Sequence, residues 1–296
     1  MATMPGQNDV MTYRTLIQAA ELDVLLQTQP QRTVVFDCSF DLARPEAGRA
    51  THEAGHLPGA AYLHLDEDLS APKNGRNGRH PLPARGAFAA RMAARGANTD
   101  SQVVVYDAAG GMYAARAWWM LRWIGHAEVA VLDGGLAAWR AAGLAIESGA
   151  ASAPPAGNLV LRPALVRRVD REALLANLNG GPQLVVDARA NDRFRGENEM
   201  LDPVAGHIPG ARNRVFRDNL ASDGRFKPAA QLRDEYAAVT RGHAADRLVM
   251  SCGSGVTACH NLLALEVAGL CGAALYPGSW SEWCAWPGAP IATGDA

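Results

Sequence analysis

The chain has 296 residues, 48% of them hydrophobic and 20% charged, with a formal net charge of −2. That length suits about two domains of ~150 residues, each able to bury its own core, and the near-neutral charge excludes a global attraction to nucleic acid or to an anionic membrane. The amino terminus lacks the apolar stretch of a secretory signal, no run reaches the ~18 apolar residues of a membrane span, and five cysteines without a C-x-x-C pair fit free thiols in a cytoplasmic, reducing compartment better than a disulfide framework.

In chain order, TVVFD ending at Asp37 and QVVVYD ending at Asp107 have the length and β-branched content of buried strands. A helical stretch, Ala114–Trp123, and the segment LDGGLAAW (132–139) follow. Residues 144–165, with ESGAASAPPAGN, have linker composition. The pattern then restarts: QLVVD ends at Asp187, AGHIPGA (205–211) repeats AGHLPGA (54–60), RLVMSC ends at Cys252, Ala258–Ala268 reads as a helix, and YPGSWSEW (276–283) repeats the segment around Trp139. Each match returns after roughly 150 residues, in the same order, as two homologous domains require. Strands alternating with helices predict an α/β fold in which a parallel sheet is covered on both faces. Ligands bind such sheets beyond the carboxyl ends of the strands, where Asp107 and Cys252 both stand, and a cleft between the halves is the expected site.

The loop from Ser251 to Ala258 carries the chemistry. Gly253 and Gly255 let the backbone curl, and a curled loop at a helix start aims several N–H groups into one concavity, a natural anion site. Those dipoles would stabilise a thiolate on Cys252 and make it a nucleophile. A buried structural cysteine is the competing reading.

The string CGSGVTA (252–258) resembles the active-site loop of the 3-mercaptopyruvate sulfurtransferases, within the rhodanese family. The GH(L/I)PGA repeat, DGGLAAW, GSWSEW and DARANDRFRG (187–196) are similar to the same family, so the resemblance spans about residues 12–287. It implies two tandem rhodanese-like domains, each a parallel sheet flanked by helices: residues 10–143, a linker at 144–165, and a catalytic domain at 166–290. The first is implied to be inactive, since Asp107 replaces the cysteine and an aspartate cannot hold a transferable sulfur. The implied reaction moves sulfur from 3-mercaptopyruvate through a Cys252 persulfide to a thiol such as thioredoxin or glutathione, or to cyanide, releasing pyruvate without cofactor or metal. Thiosulfate as donor is the alternative, and a non-catalytic sulfur carrier or binding protein is a more distant one. Rhodaneses specific for thiosulfate resemble Cys-Arg-Lys-Gly in this loop, whereas Gly253 and Ser254 are neutral. The related dual-specificity phosphatases use a longer loop closing on an arginine, and this one ends Thr257-Ala258.

Further site residues follow from the resemblance. Ser254, His80 and Asp66 match a serine–histidine–acid relay that could pass a proton to the leaving carbon. The loop residues Gly253, Gly255, Val256 and Thr257 are expected to face the donor. Arg193 matches the arginine that grips the donor carboxylate, with Arg195 as a further candidate. The second clamp arginine of the family has no counterpart in ENEMLDPVAGHIPG (197–210), which leaves Arg212 or Arg214 as substitutes. Arg76 and Arg79 read equally as anion-steering or as surface charge. His56 and His207, used alike in both halves, read as structural, and Cys259 as facing the core. Cys38, Cys271 and Cys284 show no ligand spacing.

Overall fold

The computed structural model describes residues 11–150 and 154–295. The expected domain start at residue 10 and linker positions 151–153 lie outside the described residues.

The first half runs β1 (Leu16–Ile17), α1 (Ala19–Thr28), β2 (Thr33–Asp37), α2 (Ala47–Ala54), β3 (Ala61–Tyr62), α3 (Arg85–Ala94), β4 (Gln102–Tyr106), α4 (Ala114–Trp123), β5 (Val129–Leu132) and α5 (Gly135–Ala141). The second runs β6 (Arg167–Arg168), α6 (Arg171–Asn177), β7 (Leu184–Asp187), α7 (Asn191–Arg195), β8 (Arg212–Asn213), α8 (Ala229–Thr240), β9 (Leu248–Ser251), α9 (Thr257–Val267), β10 (Ala274–Leu275) and α10 (Ser279–Trp283). Each half forms one five-stranded sheet, in the orders β1-β5-β4-β2-β3 and β6-β10-β9-β7-β8. The two orders are the same topology twice, and every pairing is parallel. The central strands β4 and β9 are buried along their whole length, as strands covered on both faces must be.

The domains share a core. One continuous apolar cluster includes Phe36, Val105 and Trp119 from the first half and Met250, Cys252 and Leu263 from the second. Helices α4 and α9 face each other across the boundary. In α4 every residue from Ala114 to Leu121 is buried, the mark of a helix enclosed on all sides. Smaller clusters lie on the outer face of each sheet, around Tyr106 and Trp139 and around Tyr276 and Trp283.

The described part of the connecting segment lies against the first domain. The N–H groups of Gly157, Leu159 and Arg162 donate to the carbonyls of Ala93 (2.7 Å), Ala97 (3.1 Å) and Ile124 (2.9 Å). Leu159 is buried, so linker-like composition here builds an anchored strap.

Candidate active site

Cys252 follows the central strand β9 and precedes α9. Its Sγ accepts the N–H groups of Ser254 (3.4 Å) and Gly255 (3.1 Å). Gly255 has φ +75°, and a Cβ there would lie 2.2 Å from the Pro277 carbonyl oxygen. Only glycine fits that position. Cys252 is 2% exposed but lines a cavity of about 250 Å³ between the domains. The C-terminal segment braces it from behind: Cys252 N–H donates to Ser279 Oγ (3.1 Å), and Trp280 N–H to the Cys252 carbonyl (2.9 Å). Ser279 is a non-glycine residue at φ +53°, a costly conformation at the point where its hydroxyl meets the backbone of Cys252.

The first domain supplies the other side. His80 Nδ1 lies 2.7 Å from Ser254 Oγ, and its Nε2 lies 3.5 Å from Asp66 Oδ1. Burial, with Arg116, Arg79 and Lys73 nearby, pulls the His80 imidazole down to about 3. The ring is therefore neutral, and Asp66 beside Nε2 favours the tautomer whose Nδ1 accepts the serine hydroxyl. Loop residues Gly253, Val256 and Thr257 line the cavity; Gly255, expected to face the donor, is not among the lining residues and instead turns its N–H to Cys252 Sγ.

Two guanidiniums converge beside Cys252. A Cβ built on Gly253 would lie 2.9 Å from Nη2 of Arg79, 3.6 Å from Nη2 of Arg193 and 3.7 Å from its Nη1. Buried acids hold both arginines. Arg193 donates from Nε and Nη2 to Glu199 and from Nη2 to Asp202 (3.3 Å), and Arg79 Nη1 donates to Asp202 (2.6 Å). Among the described residues, Nη1 of Arg193 and Nη2 of Arg79 have no protein acceptor, so a two-pronged anion site stays open. Arg217 also lines the cavity and has no carboxylate partner among the described residues.

Three other arginines lie elsewhere. Arg195 pairs with Glu197 and, with Arg212, borders a separate surface hollow. Arg214 is buried against Glu235. None of the three lines the cavity of Cys252; the second cation there is Arg79, from the first domain. Arg76 lies over the Trp286 ring, 5.4 Å from its centre. Ser279 and Arg217 escaped sequence reasoning because each reaches Cys252 or its cavity from a distant stretch of chain; Glu199 and Asp202, six and nine residues from Arg193, lie in the acidic run 197–202, the one visible signal.

The matching loop of the first domain is closed by its own side chain. Asp107 Oδ1 accepts the N–H groups of Ala109 (2.7 Å) and Gly111 (2.8 Å), and Oδ2 those of Tyr113 (2.8 Å) and Ala114 (2.9 Å). The carboxylate takes the loop N–H groups here, where in the second domain the Cys252 sulfur accepts them. His56 and His207 have equivalent places: Nδ1 contacts the His52 carbonyl (2.7 Å) and the Phe194 carbonyl (2.8 Å) respectively, and each ring stacks on the side chain of that residue. Cys259 is buried, and all five cysteines are free. Glu46, His64 and Glu67 could in principle meet at a metal. However, His64 Nδ1 accepts two backbone N–H groups, which leaves the hydrogen on Nε2 and no lone pair to ligate.

Comparison with known proteins identifies the fold and the class of enzyme. The rhodanese-like domain model matches residues 18–142 and 170–285. The chain is 49% identical over 287 residues to "Probable 3-mercaptopyruvate sulfurtransferase" of Pseudomonas aeruginosa, covering 96% of this chain and all of that one. It is 41% identical to "Putative thiosulfate sulfurtransferase SseB" of Mycobacterium tuberculosis, covering 96% and 98%. The crystal structure of the Escherichia coli 3-mercaptopyruvate sulfurtransferase SseA superposes with a TM-score of 0.77 at 31% identity, over 90% of this chain and 99% of that one. The chain belongs to the rhodanese-like family. It is an enzyme of the sulfurtransferase class.

Proposed function

We propose that the protein transfers the sulfur of 3-mercaptopyruvate to a thiol or to cyanide through a persulfide on Cys252. The observation that carries this reading is the serine–histidine pair at 2.7 Å beside a cysteine sulfur that accepts two loop N–H groups. The donor carboxylate meets Nη1 of Arg193 and Nη2 of Arg79. The Cys252 thiolate attacks the donor sulfur, an S–S bond forms, and the C–S bond breaks with its electron pair passing to carbon as the enolate of pyruvate. Ser254, backed by His80 and Asp66, takes the donor's S–H proton and returns it to that carbon. Thiolate and mercaptopyruvate thus become persulfide anion and pyruvate, with atoms and charge balanced. The loop N–H groups stabilise the anion on sulfur. An acceptor thiol such as thioredoxin or glutathione, or cyanide, then removes the outer sulfur and restores the thiolate. Five free cysteines favour the cytoplasm as the compartment. No helix among the described residues is long and apolar enough to cross a membrane.

Thiosulfate is a second reading with one observation in its favour: Arg79 brings to Gly253 the positive charge that the loop itself lacks. Steady-state kinetics with both donors against one acceptor decides between them. The expected result is a higher kcat/KM for mercaptopyruvate, and a tenfold or greater preference for thiosulfate reverses the assignment.

A further inference from the structure

Arg116 is an arginine on helix α4 of the inactive domain, within its fully buried stretch Ala114–Leu121, and it is 0% exposed. A buried guanidinium normally meets a carboxylate. This one has no carboxylate partner among the described residues. Its acceptors are three backbone carbonyls: Gly255 (2.9 Å, from Nη1), His80 (3.0 Å, from Nη2) and Leu69 (3.3 Å, from Nη2).

The choice of carbonyls is informative. Gly255 follows Ser254 in the loop, and its own N–H points at Cys252 Sγ. His80 is the middle member of the relay. Leu69 lies three residues beyond Asp66, in the turn that carries that acid. One guanidinium therefore holds all three segments on which the relay residues sit, and two of these come from a different domain than the third. The planar fork suits this task, because its N–H groups diverge in fixed directions. A lysine offers a single point of attachment.

We propose that Arg116 is a positioning residue for the sulfur-loading step, keeping the Ser254–His80 contact in register across the domain boundary. The proposal rests on the relay described above. Its charge also fits: buried and without a carboxylate partner among the described residues, it opposes protonation of His80.

The two half-reactions separate this role from general support of the fold. Loading of Cys252 by mercaptopyruvate needs the relay, because a carbanion must be protonated. Discharge of a preloaded persulfide to cyanide does not. In Arg116→Met the single-turnover rate of loading should fall at least tenfold further than the rate of discharge. Arg116→Lys, which keeps a charge in the same place, should show the same split if the methionine variant does not fold. Combined with His80→Ala, the Arg116 substitution should add less than threefold to the loading defect, since both act through one pair. Equal losses in the two half-reactions, no loss in loading, or full additivity with His80→Ala would each overturn the proposal. If His80→Ala alone leaves loading unchanged, it is the relay that fails, and that outcome is read independently of Arg116.

Discussion

At the scale of single residues, the chemistry depends on atoms that approach within hydrogen-bond distance from far apart in the chain. Cys252→Ser should abolish turnover with every donor, since a hydroxyl cannot form a persulfide. Treated with donor, the wild-type peptide holding Cys252 should gain about 32 Da, one sulfur atom; a gain on Cys38 or Cys259 instead would reassign the nucleophile. Arg193→Ala and Arg79→Ala should each raise KM for mercaptopyruvate about tenfold or more, as expected when one charged hydrogen bond of ~1.5–3 kcal/mol is lost. An unchanged KM in Arg79→Ala would remove that residue from the donor site. His80 itself, held near 3 by burial and by its cationic neighbours, should contribute no ionisation to the rate between pH 5 and 8. A titration in that window that disappears in His80→Asn would contradict a neutral ring.

At the scale of elements, the two loops after β4 and β9 are the same device with opposite contents. In one, the Asp107 carboxylate satisfies four N–H groups; in the other, Cys252 leaves its loop open to a ligand. Asp107→Ala should therefore leave sulfur transfer within a few-fold of wild type but lower stability by about 3 kcal/mol or more, because buried donors lose their acceptor. Urea unfolding together with a kinetic assay checks both halves. A hundredfold loss of turnover in a folded protein would mean that the first loop takes part in the chemistry. In the active loop, replacing Gly253-Ser254 by Arg-Lys should shift donor preference toward thiosulfate, since the His80 partner is lost while cations are gained. The built Cβ at Gly253 already approaches Arg79 Nη2 at 2.9 Å, so the new arginine must displace the native one.

At the scale of the whole molecule, a shared core makes the two domains one cooperative body, and its buried histidines set a pH limit. Burial draws His80 down to about 3 and His260 to about 4, both below the ordinary histidine value of ~6.5. Between those values the unfolded chain binds more protons than the folded one. The stability contributed by these rings is complete above pH ~6.5 and is lost progressively as pH falls toward 4 and then 3. The thermal midpoint should drop by several degrees between pH 6.5 and 4.5, and His260→Gln should flatten that slope. A midpoint independent of pH over this range would show that neither ring stays neutral on folding.

Much of this organisation was legible along the chain. The twofold repeat, the β-branched strands and the glycine-curled loop are local patterns, and local patterns follow from backbone sterics and from the periodicity of burial. They were enough to place Cys252 beyond a central parallel strand, whereas the grouping of Ser254, His80 and Asp66 and the reading of Asp107 as inert came from the family resemblance. The anion grip could not be read that way. Arg195 lies two residues from Arg193 yet points to another face, while Arg79, more than a hundred residues away, comes to the cleft beside Gly253. Arg116 sits in a helix that reads as plain core, and only docking of α4 against α9 brings its guanidinium to carbonyls of both domains. Side-chain direction and long-range proximity are properties of packing between elements. The sequence determined the elements and the place of Cys252 at the end of a central strand, and the tertiary structure decided which charges surround it.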